Sequence, residues 1–179
     1  MASAFGHALA ALSFRNLIDI KYKLPLKIVL LGVVYSILPD ADVITFKFGI
    51  PYESVWGHRG ISHSLLFSLV LALITALFLS KNKIERIIFF VFLFISTLSH
   101  TILDAMTTGG KGVAFFAPFD NTRYFLPWRV IKVSPIGIKN FLSQWGLKVI
   151  QSELIWIGIP FIITLILYFI LKKKNNAVI

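Results

Sequence analysis

Three stretches of this chain, Ile61 to Leu79, Ile87 to Met106 and Leu154 to Leu171, are each apolar for about the 20 residues a helix needs to cross a bilayer. In hydrocarbon every backbone N–H and C=O must be paired inside the element, and these runs are continuous rather than alternating, so they predict membrane helices. A shorter run, Ile28 to Leu38, stops at Pro39, whose missing N–H and restriction on Leu38 predict a helix end; apolar character resumes at Val43 and Ile44. The stretch from Ala2 to Phe14, continuing through Leu17, Ile18 and Ile20, predicts a short first helix. It does not read as a signal peptide, because Arg15 follows the apolar core instead of preceding it.

The expected fold is therefore all-α: a polytopic membrane helical bundle of about five helices, a short N-terminal helix plus four spans. The segment from Thr107 to Glu153 carries Gly109, Gly110, Gly112, Pro118, Pro127 and Pro135, which predicts a long irregular loop before the last span, with an interfacial helix from Gly137 to Ile150. Residues 1–179 form one domain, since no linker, repeat or low-complexity tract divides them. With 57% hydrophobic and 15% charged residues, 17 Phe and no cysteine, disorder and disulfide or cysteine–zinc scaffolds are excluded.

The net charge of +10 does not indicate nucleic acid, because Lys and Arg gather at the ends of apolar runs and do not interleave with exposed aromatics along one element. Membrane lipid headgroups are the expected partner. Arg15, Lys21, Lys23, Lys27, Lys81, Lys83, Arg86, Lys172, Lys173 and Lys174 fall on one side of an alternating five-helix plan. The positive-inside rule makes that side cytoplasmic, together with the C-terminus.

The scarce polar residues collect on the other side. At 1.5 Å per residue, His7, Asp40, His63 and Asp104 each lie roughly 20 to 27 Å from the basic edge, so four helices deliver His or Asp to one layer near the outer face. Ionisable groups at membrane depth are costly and mark a site. Each residue has a structural reading as well: His7 as an interfacial side chain, Asp40 and Asp42 as a helix-ending turn, His58 and Arg59 as solvated loop. His100 and Asp104 are spaced i,i+4 and share a helix face, which suits one cation, or a hydrogen bond that satisfies both.

His58 and His63 cannot both point inward from one regular helix. His63, inside the run, is the expected ligand, with Gly60 and Ser62 supplying turn and cap; His58 and Arg59 are expected to support a ligand or touch substrate. Asp40 is likewise the first choice of its pair. Asp42 is left to orient a ligand, to bind a second ion, or to take a proton from water. The expected metal ligands are thus His7, Asp40, His63, His100 and Asp104, and the expected catalytic residues Asp42, His58 and Arg59. Imidazole and carboxylate without thiolate suit zinc, with manganese or iron also compatible, and point to metal-assisted hydrolysis more than to a structural site.

Gly6-His7, Leu38-Pro39-Asp40-Ala41-Asp42, Gly57-His58-Arg59-Gly60-Ile61-Ser62-His63-Ser64, Leu98-Ser99-His100 through Asp104, and Pro118-Phe119 together resemble the YdjM-like family of inner-membrane proteins assigned as metal-dependent hydrolases. The resemblance spans roughly the first 135 residues. It implies a multi-pass protein of the inner (plasma) membrane with an open substrate identity. More distantly, the His100/Asp104 pair is similar to one in the zinc-dependent phospholipase C and P1 nuclease superfamily. The further H-x-x-x-E pair of that superfamily is missing, since Val149 stands four positions before Glu153, so one or two ions are expected. That similarity implies a phosphoester in a lipid or lipid-linked amphiphile as substrate, with Arg59, Arg123, Arg129 and Lys132 as phosphate contacts; the alternative for these is interfacial anchoring. Two other functions are compatible with the residues: a metal-dependent regulator without turnover, and an ion transporter, which would place ligands on both sides of the midplane.

Overall fold

The computed structural model describes residues 1–176. The chain forms α1 (Ala4–Asp19), α2 (Leu26–Ile37) continuing as a 3-10 helix (Leu38–Phe48), a one-turn 3-10 helix (Ile61–His63), α3 (Leu65–Leu79), α4 (Lys83–Ala105), α5 (Ile138–Phe141), α6 (Gln144–Glu153), a π turn (Leu154–Gly158) and α7 (Ile159–Asn176). Among the described residues there is no strand, and two isolated bridges, Thr107 to Ile131 and Val113 to Tyr124, are the β pairing present. The expected all-helical bundle is what forms.

Helix α4 is central: α1, α2 and α3 pack against it, and α7 packs against α1. Within a membrane, helices associate by close packing more than by a hydrophobic drive, which favours small residues at their contacts. Ala72 and Ala76 on α3 are fully buried with Phe92 and Leu93 of α4. Gly32 of α2 lies so close to α4 that a Cβ there would stand 2.4 Å from the Phe92 ring. The outward faces are left apolar, as on α3 at Leu69, Leu73, Ile74, Leu77 and Phe78.

Three helical stretches are long and apolar enough to cross a membrane: Leu26–Phe48, Lys83–Ala105 and Gln144–Lys174; Leu65–Leu79 is a shorter apolar helix. Their bounds differ from expectation in three places. The α-helix ends at Ile37, as Pro39 predicts, but the chain runs on as a 3-10 helix from Leu38, whose first turn tolerates Pro because its N–H is not needed there. The last span starts well before Leu154, since α6 runs through the π turn into α7 and absorbs the second half of the expected interfacial helix. The expected Ile61 to Leu79 helix begins only at Leu65, capped by Ser64, whose side chain accepts from Phe67 N; Ser62 is not the cap.

Residues 21–25 and Asn82, from the two short turns, line one cavity at one end of the bundle, and Arg15 stacks on Tyr168 of α7 toward that end. By connectivity, the N-terminus of α1 and the C-termini of α2 and α4 lie at the other. Gly32→Leu should therefore destabilise the detergent-solubilised protein by about 1–3 kcal/mol through overpacking. Thermal melting reads it, and Phe92→Ala in the same chain should recover part of the loss.

Candidate metal centre

Each functional side chain is placed by a local feature. Ser3 caps α1, accepting from Gly6 N at 3.2 Å, and sets His7 on the first turns facing inward. The 3-10 extension of α2 carries Asp40 and Asp42, and at three residues per turn two positions point to different sides. His58 and Arg59 sit in a tight loop whose glycines are forced: a Cβ at Gly57 would meet Pro51 O at 2.2 Å, and one at Gly60 would meet Val55 O at 2.1 Å. Arg59 itself has φ of 62°, a conformation uncommon for a side-chain-bearing residue. His100 and Asp104 share the inner face at the end of α4, as their spacing predicts, and both are buried.

Asp40, His63, His100 and Asp104 each offer one ligand atom, all within 4.8 Å of one another. His63 Nε2 and His100 Nε2 are 3.0 Å apart, and Asp40 Oδ1 lies 3.4 Å from the latter and 3.7 Å from the former. Asp104 Oδ2 is 3.6 Å from His63 Nε2.

The protons on the imidazoles follow from their partners. His100 Nδ1 lies 2.7 Å from the Ser36 carbonyl, which only accepts, so Nδ1 carries the proton and Nε2 a lone pair. That carbonyl needs a donor: a 3-10 turn would pair it with residue 39, and Pro39 has no N–H. His63 Nδ1 faces Asp42 Oδ2 at 3.1 Å and Ser62 Oγ at 3.0 Å. Ser62 donates its own proton to Asp42 at 2.7 Å, so both neighbours accept from the ring. His63 Nε2 is thus also a lone pair. Two nitrogen lone pairs and two carboxylate oxygens converge in a buried space, and a cation is what satisfies such a set. The donor chemistry, imidazole and carboxylate without thiolate, fits a divalent transition metal.

His7 stands beside this set. Its ring stacks on His100 with centroids 3.8 Å apart, and its Nε2 is 3.5 Å from Asp104 Oδ1 and 4.0 Å from Asp40 Oδ2. Neither ring nitrogen has a hydrogen-bond partner, although the residue is fully buried. Asp42 and His58 lie on the far side of His63: His58 Nδ1 is 2.6 Å from Asp42 Oδ1, with its ring against Tyr52 and Phe46. Burial pushes the Tyr52 phenol above its ordinary pKa, with the Arg59 charge opposing, so Tyr52 is a neutral wall at physiological pH.

The expected phosphate contacts are mostly engaged elsewhere. Arg59 is fully buried, with Nε 2.9 Å from Asp104 Oδ2 and its terminal nitrogens donating to Gly109 O at 3.2 Å and Thr107 Oγ1 at 3.1 Å. Its role is to neutralise Asp104 and tie the loop at 107–110 to the site, and its complete burial keeps it from substrate in this arrangement. Arg123 donates to the carbonyls of His58, Tyr52 and Ser54, bracing the loop around Arg59. Arg129 donates Nε to Thr107 O at 2.9 Å and lies over Phe125, the interfacial anchoring alternative. Lys132 is exposed at the same end.

Several contributors had no signal in the sequence. Ser36 acts through its carbonyl, Ala2 donates its backbone N to Asp104 Oδ1 at 2.8 Å, and Ser3 donates N and Oγ to Glu153, each at 2.5 Å. Glu153, at the C-terminal end of α6, thereby fixes the start of α1. Only the Ser3 cap could have been anticipated, from a serine before an apolar run.

The YdjM inner membrane protein family profile matches residues 1–177. The chain belongs to the YdjM family. Inner membrane protein YbcI of Escherichia coli (strain K12) is 42% identical over 139 residues, 76% of this chain and 80% of that protein. Uncharacterized protein YvsG of Bacillus subtilis (strain 168) is 34% identical over 91 residues, 47% of this chain and 54% of that one. No solved structure matches. With its membrane-length helices, this chain is a multi-pass inner membrane protein with a buried His/Asp cluster that can bind a metal ion.

Removing Arg59 takes from Asp104 the guanidinium 2.9 Å away in a buried site. Arg59→Met should destabilise the metal-free protein by about 3–5 kcal/mol. Melting in the presence of a chelator measures this without a contribution from bound ion.

Proposed function

We propose that this protein is a membrane-bound metal-dependent hydrolase acting on a phosphoester in a lipid or lipid-linked amphiphile. The observation that carries the reading is the convergence of His63 Nε2, His100 Nε2 and carboxylate oxygens of Asp40 and Asp104 with no donor among them. Those four residues hold the ion, zinc being the first candidate and manganese or iron the others, with His7 beside it. Once bound, the cation lowers the pKa of a water molecule toward about 7 and so supplies hydroxide at neutral pH.

The chain's own residues set the rest. Asp40 has 10% of its side chain exposed, while His63, His100 and Asp104 have none, so the Asp40 edge is the accessible side of the centre. Around this end of the bundle Phe48, Trp56, Phe119 and Trp128 are exposed, an arrangement that suits the headgroup level of a membrane. A substrate that keeps its tails in the bilayer meets such a site without extraction. Lys132 and the remaining nitrogens of Arg129 are the cations at this end best suited to an anionic headgroup, since Arg59 and Arg123 are engaged within the protein.

A second reading, a metal-dependent regulator without turnover, is favoured by the near-complete burial of the ligands, because a closed site need not offer a coordination position to water. The transporter reading has no comparable support, as the cluster gathers at one end of the bundle.

Protein purified in detergent should contain one equivalent of zinc or manganese by elemental analysis and should release phosphate or a phosphorylated headgroup from phospholipid micelles. His100→Ala should lose both. Activity and metal retained in that variant would refute the hydrolase reading; stoichiometric metal with no hydrolysis across phosphomonoester and phosphodiester lipids would favour the regulator. Chelation should also lower the melting temperature, since an ion bound only by the folded state at 100 times its Kd stabilises by about 2.7 kcal/mol.

A further inference from the structure

Asp42 belongs to a second group of close ligand-type atoms, with His58 and His63. By distance alone this trio is a candidate site for a second cation, and the free lone pair of a buried carboxylate is also what a general base requires. The donors around Asp42 decide against both. Oδ1 receives His58 Nδ1 at 2.6 Å. Oδ2 receives Arg59 N at 3.0 Å and Ser62 Oγ at 2.7 Å, and His63 Nδ1 lies 3.1 Å from it with its hydrogen bond to Ser62 Oγ at 3.0 Å. Each carboxylate oxygen has two lone pairs, so Arg59 N and Ser62 Oγ occupy those of Oδ2 while His58 sits at short range on Oδ1. Oδ2, the oxygen on the His63 side, therefore has no site left for a second ion or for a proton from water.

The 3-10 extension explains the separation of roles. Two residues along a helix of three per turn place Asp40 and Asp42 about 120° apart, and the His63 ring stands edge-on between them. Asp40 lies on the Nε2 side at 3.7 Å and Asp42 on the Nδ1 side at 3.1 Å. Without an acceptor at Nδ1 the imidazole is free to carry its proton on Nε2, which would turn a donor toward the ion. With Asp42 present, Nε2 is kept as a lone pair and the ring plane is held. The same carboxylate grips the backbone of Arg59, in its left-handed conformation, and so aligns the loop that sends the Arg59 side chain to Asp104.

We propose that Asp42 is a positioning residue that locks the His63 tautomer and the Arg59 loop for a single-ion centre, acting neither as ligand to a second ion nor as the proton acceptor. This rests on the metal-centre reading above and is independent of whether turnover occurs. An oriented imidazole of this kind is a recurrent support for metal ligands, and loss of the supporting carboxylate weakens affinity by about 10- to 100-fold.

Two measurements test it. Zinc titration of the detergent-purified, full-length protein against a competing chelator should give one equivalent for wild type and one for Asp42→Asn, with Kd weakened about 10- to 100-fold in the variant. The asparagine oxygen can serve only one side of this set of donors, so Ser62→Ala, which removes one donor and leaves His63 Nδ1 3.1 Å from Asp42, should weaken binding less. Unchanged affinity in Asp42→Asn would overturn the proposal, as would two equivalents in wild type with one lost in the variant. The second measurement does not depend on affinity. Nitrogen NMR of zinc-loaded wild type labelled at histidine, with the His63 ring assigned through its own backbone, should show the proton on Nδ1. A proton on Nε2 would overturn the proposal even if the metal titration behaved as expected.

Discussion

A set of lone pairs facing one another inside a membrane protein has no stable resting state of its own. Water cannot be assumed to satisfy it, and each uncompensated polar atom costs on the order of 1–3 kcal/mol or more. In this chain the constraint falls on His63 Nε2, His100 Nε2 and the inner oxygens of Asp40 and Asp104. Much of the polar architecture at this end of the bundle relates to it. Arg59 supplies one positive charge and Ala2 a backbone donor to Asp104, while the backbone of Ser36 and the side chain of Asp42 fix which imidazole nitrogens remain unprotonated. These supports come from the N-terminal segment, the end of α2, its 3-10 extension and the loop before α3. The bundle brings them together only because α1, α2 and α4 all present the same end.

The change of helix type at Leu38 is the local event with the widest effect. An α-helix continued through Pro39 would lose a hydrogen bond and clash with the preceding turn. The 3-10 helix tolerates proline in its first turn, offers the Ser36 carbonyl to His100 and splits Asp40 from Asp42 across the His63 ring. The Gly57 to Ser62 loop answers it from the other side. Its glycines admit close carbonyls, and Arg59 in a left-handed conformation turns its N–H to Asp42 and its side chain to Asp104.

Depth along a helix was legible in the sequence because the rise per residue is nearly constant. Counting from the basic turns sufficed to bring His7, Asp40, His63 and Asp104 to one layer, and the i,i+4 spacing of His100 and Asp104 sufficed to share a face. Direction around the axis was less legible where the chain left α geometry. Asp40 and Asp42 were recognised as pointing apart, yet the partners of Asp42 depend on a loop 16 to 20 residues downstream. The arginines are less legible for a related reason: Arg59 and Arg123 look like surface cations in a polar loop, and the fold shows their donors closing on Asp104, Thr107 and the carbonyls of residues 52 to 58. Ser36 and Ala2 contribute backbone atoms, for which residue identity carries no signal.

The 3-10 segment also limits how this centre can be reached. Its Asp40 edge is the accessible side, so displacing Leu38–Phe48 as a lid is the simplest imaginable opening. That movement, however, would withdraw Asp40 from the ligand set and at the same time strip His58, His63 and the Arg59 backbone of their shared acceptor. The cost rises with every donor that Asp42 gathers, so a backbone lid would dismantle the centre it uncovers. Access that preserves the ligands has to come from side chains around Asp40 while the segment stays in place. The constraint holds for either proposed role, since a substrate headgroup and the surface of a regulated partner must approach past the same fixed turn.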